Sequence, residues 1–281
     1  MRIAAVVSTG VLACALAACA GSGVQSFAPP KATVKAISNE EYQALLAKYV
    51  GENGKVDYAR WKNDAADVGA LDAYLSTLTN ATPETRSELF PTPTDKLSYW
   101  INLYNALVLR EIVRRWPLES ITGKGFFYDL AFNVGGQAMN LHDIENKILR
   151  AQFNDARIHF AISCGSSSCP LLQRDAFDPS KLEAQLEAAA SEFVNDGKDV
   201  VVDEAKQQVV LSKVFEWYAA DFAAFTAQRT KAKDAGVVDF ALLYAKEPLA
   251  TKLKQAKARG YRVVFSDYDW NVNGKRLDAL L

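Results

Sequence analysis

The chain is poor in metal-binding side chains and carries little net charge of either sign. It holds two histidines and four cysteines in 281 residues. His142 and His159 are well separated and lack a nearby acidic cluster, so no metal site is expected. No cofactor motif is present either, and none is assigned. Lys and Arg total 32 against 33 Asp and Glu, a formal net charge of -1. Nucleic-acid binding would need a clustered basic excess, which this balance does not provide. No apolar run reaches the roughly 18 residues of a membrane-spanning helix. Internal repeats and low-complexity blocks are absent from the chain beyond its N-terminal tether. What is there is ordinary for a globular chain: 49% hydrophobic and 23% charged residues, which excludes a wholly disordered or fibrous protein. The length allows a sizeable core.

Residues 1–18 (MRIAAVVSTGVLACALAA) place one Arg before an apolar run that ends in small residues. That is the layout of a secretory signal peptide. The run from Ile3 to Ala18 spans about 24 Å as a helix, at ~1.5 Å per residue, short of a bilayer core of about 30 Å. Leu16-Ala17-Ala18-Cys19 resembles the bacterial lipobox. The resemblance implies cleavage before Cys19 and lipidation of its thiol, with the membrane as a partner through that anchor. Ala20 rather than Asp then implies the periplasmic face of the outer membrane. Residues 19–36 are Cys19 and a flexible tether, and residues 37–281 are expected to form one α+β domain. Processing leaves Cys164 and Cys169, whose default state in an oxidising compartment is a disulfide.

Periodicity predicts the elements of that domain. Ser38-Asn39-Glu40-Glu41 reads as a capping box before a helix carrying Tyr42, Leu45, Leu46 and Tyr49. Lys55–Tyr58 reads as a short extended segment and 65–78 as a helix. Pro91 and Pro93 precede a stripe of Leu97, Trp100, Ile101, Tyr104, Leu107, Val108 and Ile112, the expected central helix. Residues 126–134 and 137–140 read as a hairpin about Gly135-Gly136. Asn140 is placed to cap the next helix. Arg157–Ser163 alternates like a strand. Further helices are expected after Ser180, from Ser212 through Phe225, and over 237–257. Strands are expected at 200–202, 208–211 and 261–265. Hairpins among irregularly alternating helices favour α+β, with several helices around a small, mainly antiparallel sheet.

Several polar residues sit where a bland core would have none. Glu145 falls inside the apolar arc of Leu141, Ile144, Ile148 and Leu149. A carboxylate there needs a cation or several donors, and a structural pair with Arg150, Arg157 or a lysine is one reading. Asn102 and Asn105 flank the central stripe and either hold a ligand or bond a neighbouring loop. Cys164-Gly165-Ser166-Ser167-Ser168-Cys169 closes the segment that carries His159. A Cys164–Cys169 bridge would pin this loop and contribute only about 2 kcal/mol. Alternatively Cys164 or Cys169 is a nucleophile, with His159 as base and Glu145 orienting it. The amides of Gly165–Ser168 would then stabilise an oxyanion. Strand alternation would set His159 and Cys164 on opposite faces unless the chain turns at Gly165.

Tyr99–Ala106 (YWINLYNA), Leu141–Arg150 (LHDIENKILR), Arg157–Pro170 (RIHFAISCGSSSCP) and Leu211–Tyr218 (LSKVFEWY) with Asp221-Phe222 occur in that order. On these blocks residues 55–225 resemble the domain-of-unknown-function 547 family, and Tyr268-Asp269-Trp270 also fits. The family often carries histidine where this chain has Asn146. The resemblance implies an extracytoplasmic α+β domain and no particular reaction. The order of helix and histidine-bearing segment is vaguely similar to papain-like and transglutaminase-like folds, but those begin the central helix with a cysteine that is absent here. Three functions compete. One is a ligand- or partner-binding protein, with Glu145, His159, Asn105 and Arg157 as a buried network and Asn102, Ser166 and Ser167 as further contacts. The second is a cysteine-dependent hydrolase or acyl transferase. The third is a thiol-disulfide redox protein.

Overall fold

The computed structural model describes residues 23–123 and 125–274. The leader at 1–18 and the lipidation site Cys19 lie outside the described residues. Helix α1 (Glu40–Tyr49) buries Tyr42, Leu45, Leu46 and Tyr49, the face expected of it. The capping box does not form. Asn39 is the N-cap without a side-chain cap, and Ser38 Oγ accepts from Glu40 N at 3.3 Å. Tertiary partners claim the Asn39 amide instead: it donates to Phe177 O and accepts from the Tyr74 hydroxyl at 2.8 Å.

The extended segment reduces to Val56, which bridges Val50 and Gly274. Tyr58 already opens α2 (Tyr58–Lys62), because the Asp57 side chain caps Arg60 N. Helix α3 (Ala65–Asn80) follows. The central helix α4 (Pro93–Arg115) starts where the prolines place it. Thr92 and Asp95 cap each other's backbone, and Pro93 supplies a first turn that needs no donor. From Leu97 to Val113 almost every α4 side chain is buried, so this helix is the axis of the core. Each large apolar side chain so buried contributes about 1.5–3 kcal/mol.

Strands β1 (Ala131–Val134) and β2 (Gln137–Asn140) form the hairpin. Phe126–Asp129, expected in its first strand, belong instead to a π-helical turn over Gly125–Asp129. Asn140 caps the next helix, its Oδ1 accepting from Asp143 N at 2.7 Å. That helix runs as α5 (Leu141–Asp143), a π-helical stretch over Ile144–Arg150, and α6 (Ala151–Phe153).

The strand expected over Arg157–Ser163 is not one. Ile158–Ala161 form the short helix α7. Its four side chains are all buried, so the alternation that suggested one wet and one dry face described a segment enclosed on every side. Ile158 and Ala161 join the core around α4, whereas Phe160 enters a second, phenylalanine-rich cluster.

That cluster is built from α8 (Leu182–Asn195), β3 (Val200–Asp203), β4 (Gln208–Leu211), α9 (Lys213–Trp217), α10 (Ala219–Thr230), α11 (Val237–Tyr244), α12 (Leu249–Ala258) and β5 (Arg262–Phe265). The single helices expected from Ser212 and over 237–257 are each broken in two, the first at Tyr218. Strand β4 pairs antiparallel with β3 and parallel with β5. The architecture is therefore α+β, one two-stranded and one three-stranded sheet among many helices. No helix of the described residues is long and apolar enough to cross a membrane.

Candidate functional site

Two asparagines of α4 position the site from behind. Asn105 Nδ2 donates to Ala161 O at 2.9 Å, and its Oδ1 accepts from Ser163 N at 2.8 Å. Asn102 does the same for Phe177, at 2.8 and 2.9 Å. Each amide replaces one strand neighbour for a backbone that has none, which is the structural reading of these residues. Asn105 thereby fixes the end of α7, and the chain turns at once. Gly165 makes the turn at φ +83°. A Cβ there would stand 2.4 Å from Ile112 Cδ1. Only glycine accepts both the dihedral and the contact. His159 and Cys164 consequently line the same cleft, and the opposite-face expectation falls with the strand.

The cleft encloses about 420 Å³. One wall is the π-wound segment with Glu145 and Asn146. Another is the α9–α10 junction with Trp217 and Tyr218. The third comes from near the described C-terminal end. There Ser167 N donates to Asn271 O at 2.8 Å, Ser168 N to Asp269 O at 3.2 Å, and Asn273 N to Gly165 O at 2.9 Å. These bonds strap residues 269–273 along the thiol turn and bring Tyr268 and Trp270 into the cleft. They also occupy the amides of Ser167 and Ser168, so the oxyanion role expected of those two is not supported. Ser167 itself is exposed.

His159 is 4% exposed. Its Nε2 lies 2.9 Å from Asp221 Oδ2, and Arg150 holds both Asp221 oxygens at 2.7 and 3.0 Å. Burial raises the Asp221 carboxyl, but the bonds from His159 and Arg150 outweigh it and hold the group below the usual carboxylate range. An ionised Asp221 only accepts, so His159 carries its proton on Nε2. Nδ1 is buried without a partner. Asp221, not Glu145, orients the imidazole.

Glu145 accepts instead from two phenols, Tyr104 at 3.4 Å and Tyr218. Of the two readings, several donors rather than an ion pair is what the described residues provide: Arg150 is engaged with Asp221 and Asn146, and Arg157 with Asp155, Glu183 and Glu187. Arg157 lies away from the cleft, so the expected single network splits into separate groups.

Cys164 and Cys169 are both thiols, so the expected bridge is not present. Cys164 N donates to Cys169 Sγ at 2.8 Å. Cys164 Sγ lies 3.1 Å from Ser166 Oγ and 3.3 Å from the Tyr268 hydroxyl. Burial pushes the Cys164 thiol up, but hydrogen bonds from Cys169, Ser166 and Tyr268 more than compensate and bring it down to about 7. Burial and the adjacent Cys164 push Cys169 the other way. Of the pair, Cys164 is the partly exposed and more acidic sulfur, and Cys169 the buried one.

The described residues include no group of three or more His, Cys, Asp and Glu that could hold a metal ion. Sequence reasoning assigned no role to Tyr218, Asp221, Trp217, Tyr268 or Trp270. The signal for them was their place in the blocks that resemble a family. No curated protein and no solved structure matches the chain. Residues 90–194, from the approach to α4 through α7 and the thiol turn to α8, match the family described as "Protein of unknown function, DUF547", and this segment of the chain is similar to that family.

Proposed function

We propose that the cleft is the active site of a cysteine-dependent hydrolase or acyl transferase. One observation carries the reading: Cys164 shares a cleft with an imidazole whose Nε2 is held by Asp221 and whose Nδ1 is buried without a partner. A lone pair left free on a fixed imidazole is what a general base requires. In the reaction, Cys164 Sγ bonds to a carbonyl carbon and the bond to the leaving group breaks. The thiol proton passes through His159 to the leaving group. Water or an amine then attacks the thioester carbon, gives up its proton to His159, and the thiol is regenerated. The Ser166 and Tyr268 hydroxyls, 3.1 and 3.3 Å from the sulfur, are the donors beside the developing oxyanion.

The second reading is a cleft that binds a small molecule or a partner segment without turning it over. It is favoured by the hydrogen bonds of Cys164 Sγ, which run to Ser166 and Tyr268 rather than to His159. In both readings a lipid on Cys19 holds the protein at the periplasmic face of the outer membrane. That placement is supported by the Leu16–Cys19 pattern and Ala20, and Cys19→Ala should release the protein from the membrane fraction.

The test uses p-nitrophenyl acetate and intact mass spectrometry. Active-site chemistry predicts an acetyl group on Cys164, turnover lost in Cys164→Ala, and turnover slowed in His159→Ala, which lacks the base for both acylation and deacylation. Absence of acetyl on Cys164, or equal turnover in Cys164→Ala, would establish the binding reading instead.

A further inference from the structure

The charge of the ligand is written into the cleft. Among the described residues lining it there is no Lys and no Arg. Its one Asp or Glu is Glu145, half-buried on the π-wound segment. Both partners of that carboxylate are neutral phenols, Tyr104 and Tyr218. Arg150 feels Glu145 only through space, since its guanidinium is spent on Asp221 and Asn146. A carboxylate taken partly out of water calls for a cation, and no salt bridge to it forms among the described residues. Cys164, when ionised, adds a second negative charge to the same space.

The walls agree with the floor. Three large apolar side chains of the described residues are exposed, and two of them, Tyr128 at 52% and Trp217 at 43%, stand at this cleft. Trp217 packs beside Tyr268 and Trp270, with ring centroids 4.7 and 5.6 Å away. Tyr218 fills the gap between Glu145 and His159. Aromatic faces are negative and attract ammonium groups within about 6 Å, more strongly as water is excluded. A carboxylate among several aromatic rings, with the nearby Arg150 already engaged by Asp221 and Asn146, suits a cation and repels an anion.

We infer that the cleft recognises a ligand bearing an alkylammonium group, seated between Glu145 and the Trp217–Tyr268–Trp270 wall. The inference rests on the cleft being a ligand site, and it names the ligand's class. In the acyl-transfer reading this group belongs to the substrate or to the amine that accepts the acyl group.

The test titrates the purified full chain with choline and with n-butylammonium, each followed by tryptophan fluorescence and by line broadening in ligand NMR spectra. The comparison compound is 3,3-dimethylbutan-1-ol, which has choline's shape without its charge. At least one cation should bind at least about tenfold more tightly than the alcohol, a difference of ~1.4 kcal/mol. That margin should vanish in Glu145→Gln and shrink in Trp217→Ala, whose side chain is exposed and whose removal leaves the core intact. Choline alone binding would assign a quaternary group, and butylammonium alone a primary one. Equal binding of alcohol and cations, no saturable binding of either cation, or an undiminished margin in both variants would overturn the inference. The two proposals fail separately. Acetylation of Cys164 without cation binding removes only the ligand class, and cation binding without acetylation removes only the chemistry.

Discussion

The phenol ring of Tyr218 lies flat on the imidazole of His159, with centroids 3.7 Å apart and planes inclined by 19°. The same side chain gives its hydroxyl to Glu145. It therefore sets two cleft groups at once, by dispersion on one side and by a hydrogen bond on the other. Tyr218→Phe keeps the first and loses the second, and should cost about 0.5–1.5 kcal/mol. Tyr218→Ala loses both and opens space over the imidazole, at roughly 3–5 kcal/mol. Urea denaturation of the two variants checks the order. If phenylalanine costs as much as alanine, the hydroxyl rather than the stack holds the site.

Asp221 makes stability depend on acid in a definite sense. Its folded carboxyl titrates below the ordinary carboxylate range because His159 and Arg150 bond to it, against the effect of burial. A group so depressed contributes stability in full above its unfolded pKa of about 4 and loses it as pH falls toward the folded value. Asp221→Asn should lose ~1.5–3 kcal/mol at neutral pH, the range for hydrogen bonds to a charged group. It should also flatten the acid limb of the stability curve. Urea midpoints measured from neutral pH down to about pH 3 decide this. Parallel curves for parent and variant would mean that the carboxylate is not coupled to the fold.

How much of this was readable beforehand depends on the range of the interaction. Helix α4 was legible because its stripe is long and Pro91 and Pro93 mark its start locally. The β1–β2 hairpin was legible through Gly135-Gly136, and Asn140 through its own cap. Helix α7 was not, because Ile158–Ala161 is buried all round and a short apolar segment has no period to betray it. Glu145 was singled out as a misfit in need of a cation or several donors, but which donors was not readable. The phenols that meet it come from distant positions, Tyr104 and Tyr218. The same holds for Asp221, which reaches His159 only through the folded arrangement of α10 against α7.

Asn105 offers a test of that long-range logic. It both donates to Ala161 O and accepts from Ser163 N, behind the turn that carries Cys164. Asn105→Asp keeps the acceptor and sets an oxygen against a carbonyl, with a buried charge added. Asn105→Ala leaves both backbone groups without a partner. Both should cost more than about 2 kcal/mol, with aspartate recovering some stability on acidification as it protonates. A thermal melt of each variant at neutral and acid pH is the check. If alanine is tolerated within ~0.5 kcal/mol, the residue is free for a ligand and its structural assignment is wrong.

Gly165 provides the sharpest test of the geometry around the thiol. An alanine there meets two separate penalties. The first is a left-handed backbone, at φ +83°, which costs about 1 kcal/mol or more for a residue with a Cβ. The second is the contact with Ile112 Cδ1 at 2.4 Å, where Ile112 is fully buried in α4 and has little room to move. Overpacking of this kind adds roughly 1–3 kcal/mol. Gly136→Ala separates the two, because Gly136 has φ +86° but nothing within 4 Å of the added carbon. The difference between the two variants in urea denaturation should therefore report the Ile112 contact alone. The turn also sets where the sulfur sits relative to Ser166 and Tyr268. Displacing it should raise the alkylation midpoint of Cys164 from about 7 toward the ordinary thiol value of 9.0. Iodoacetamide rates measured across that pH interval give the shift. An unchanged midpoint in a destabilised Gly165→Ala would mean that the turn holds the fold but not the acidity of the thiol.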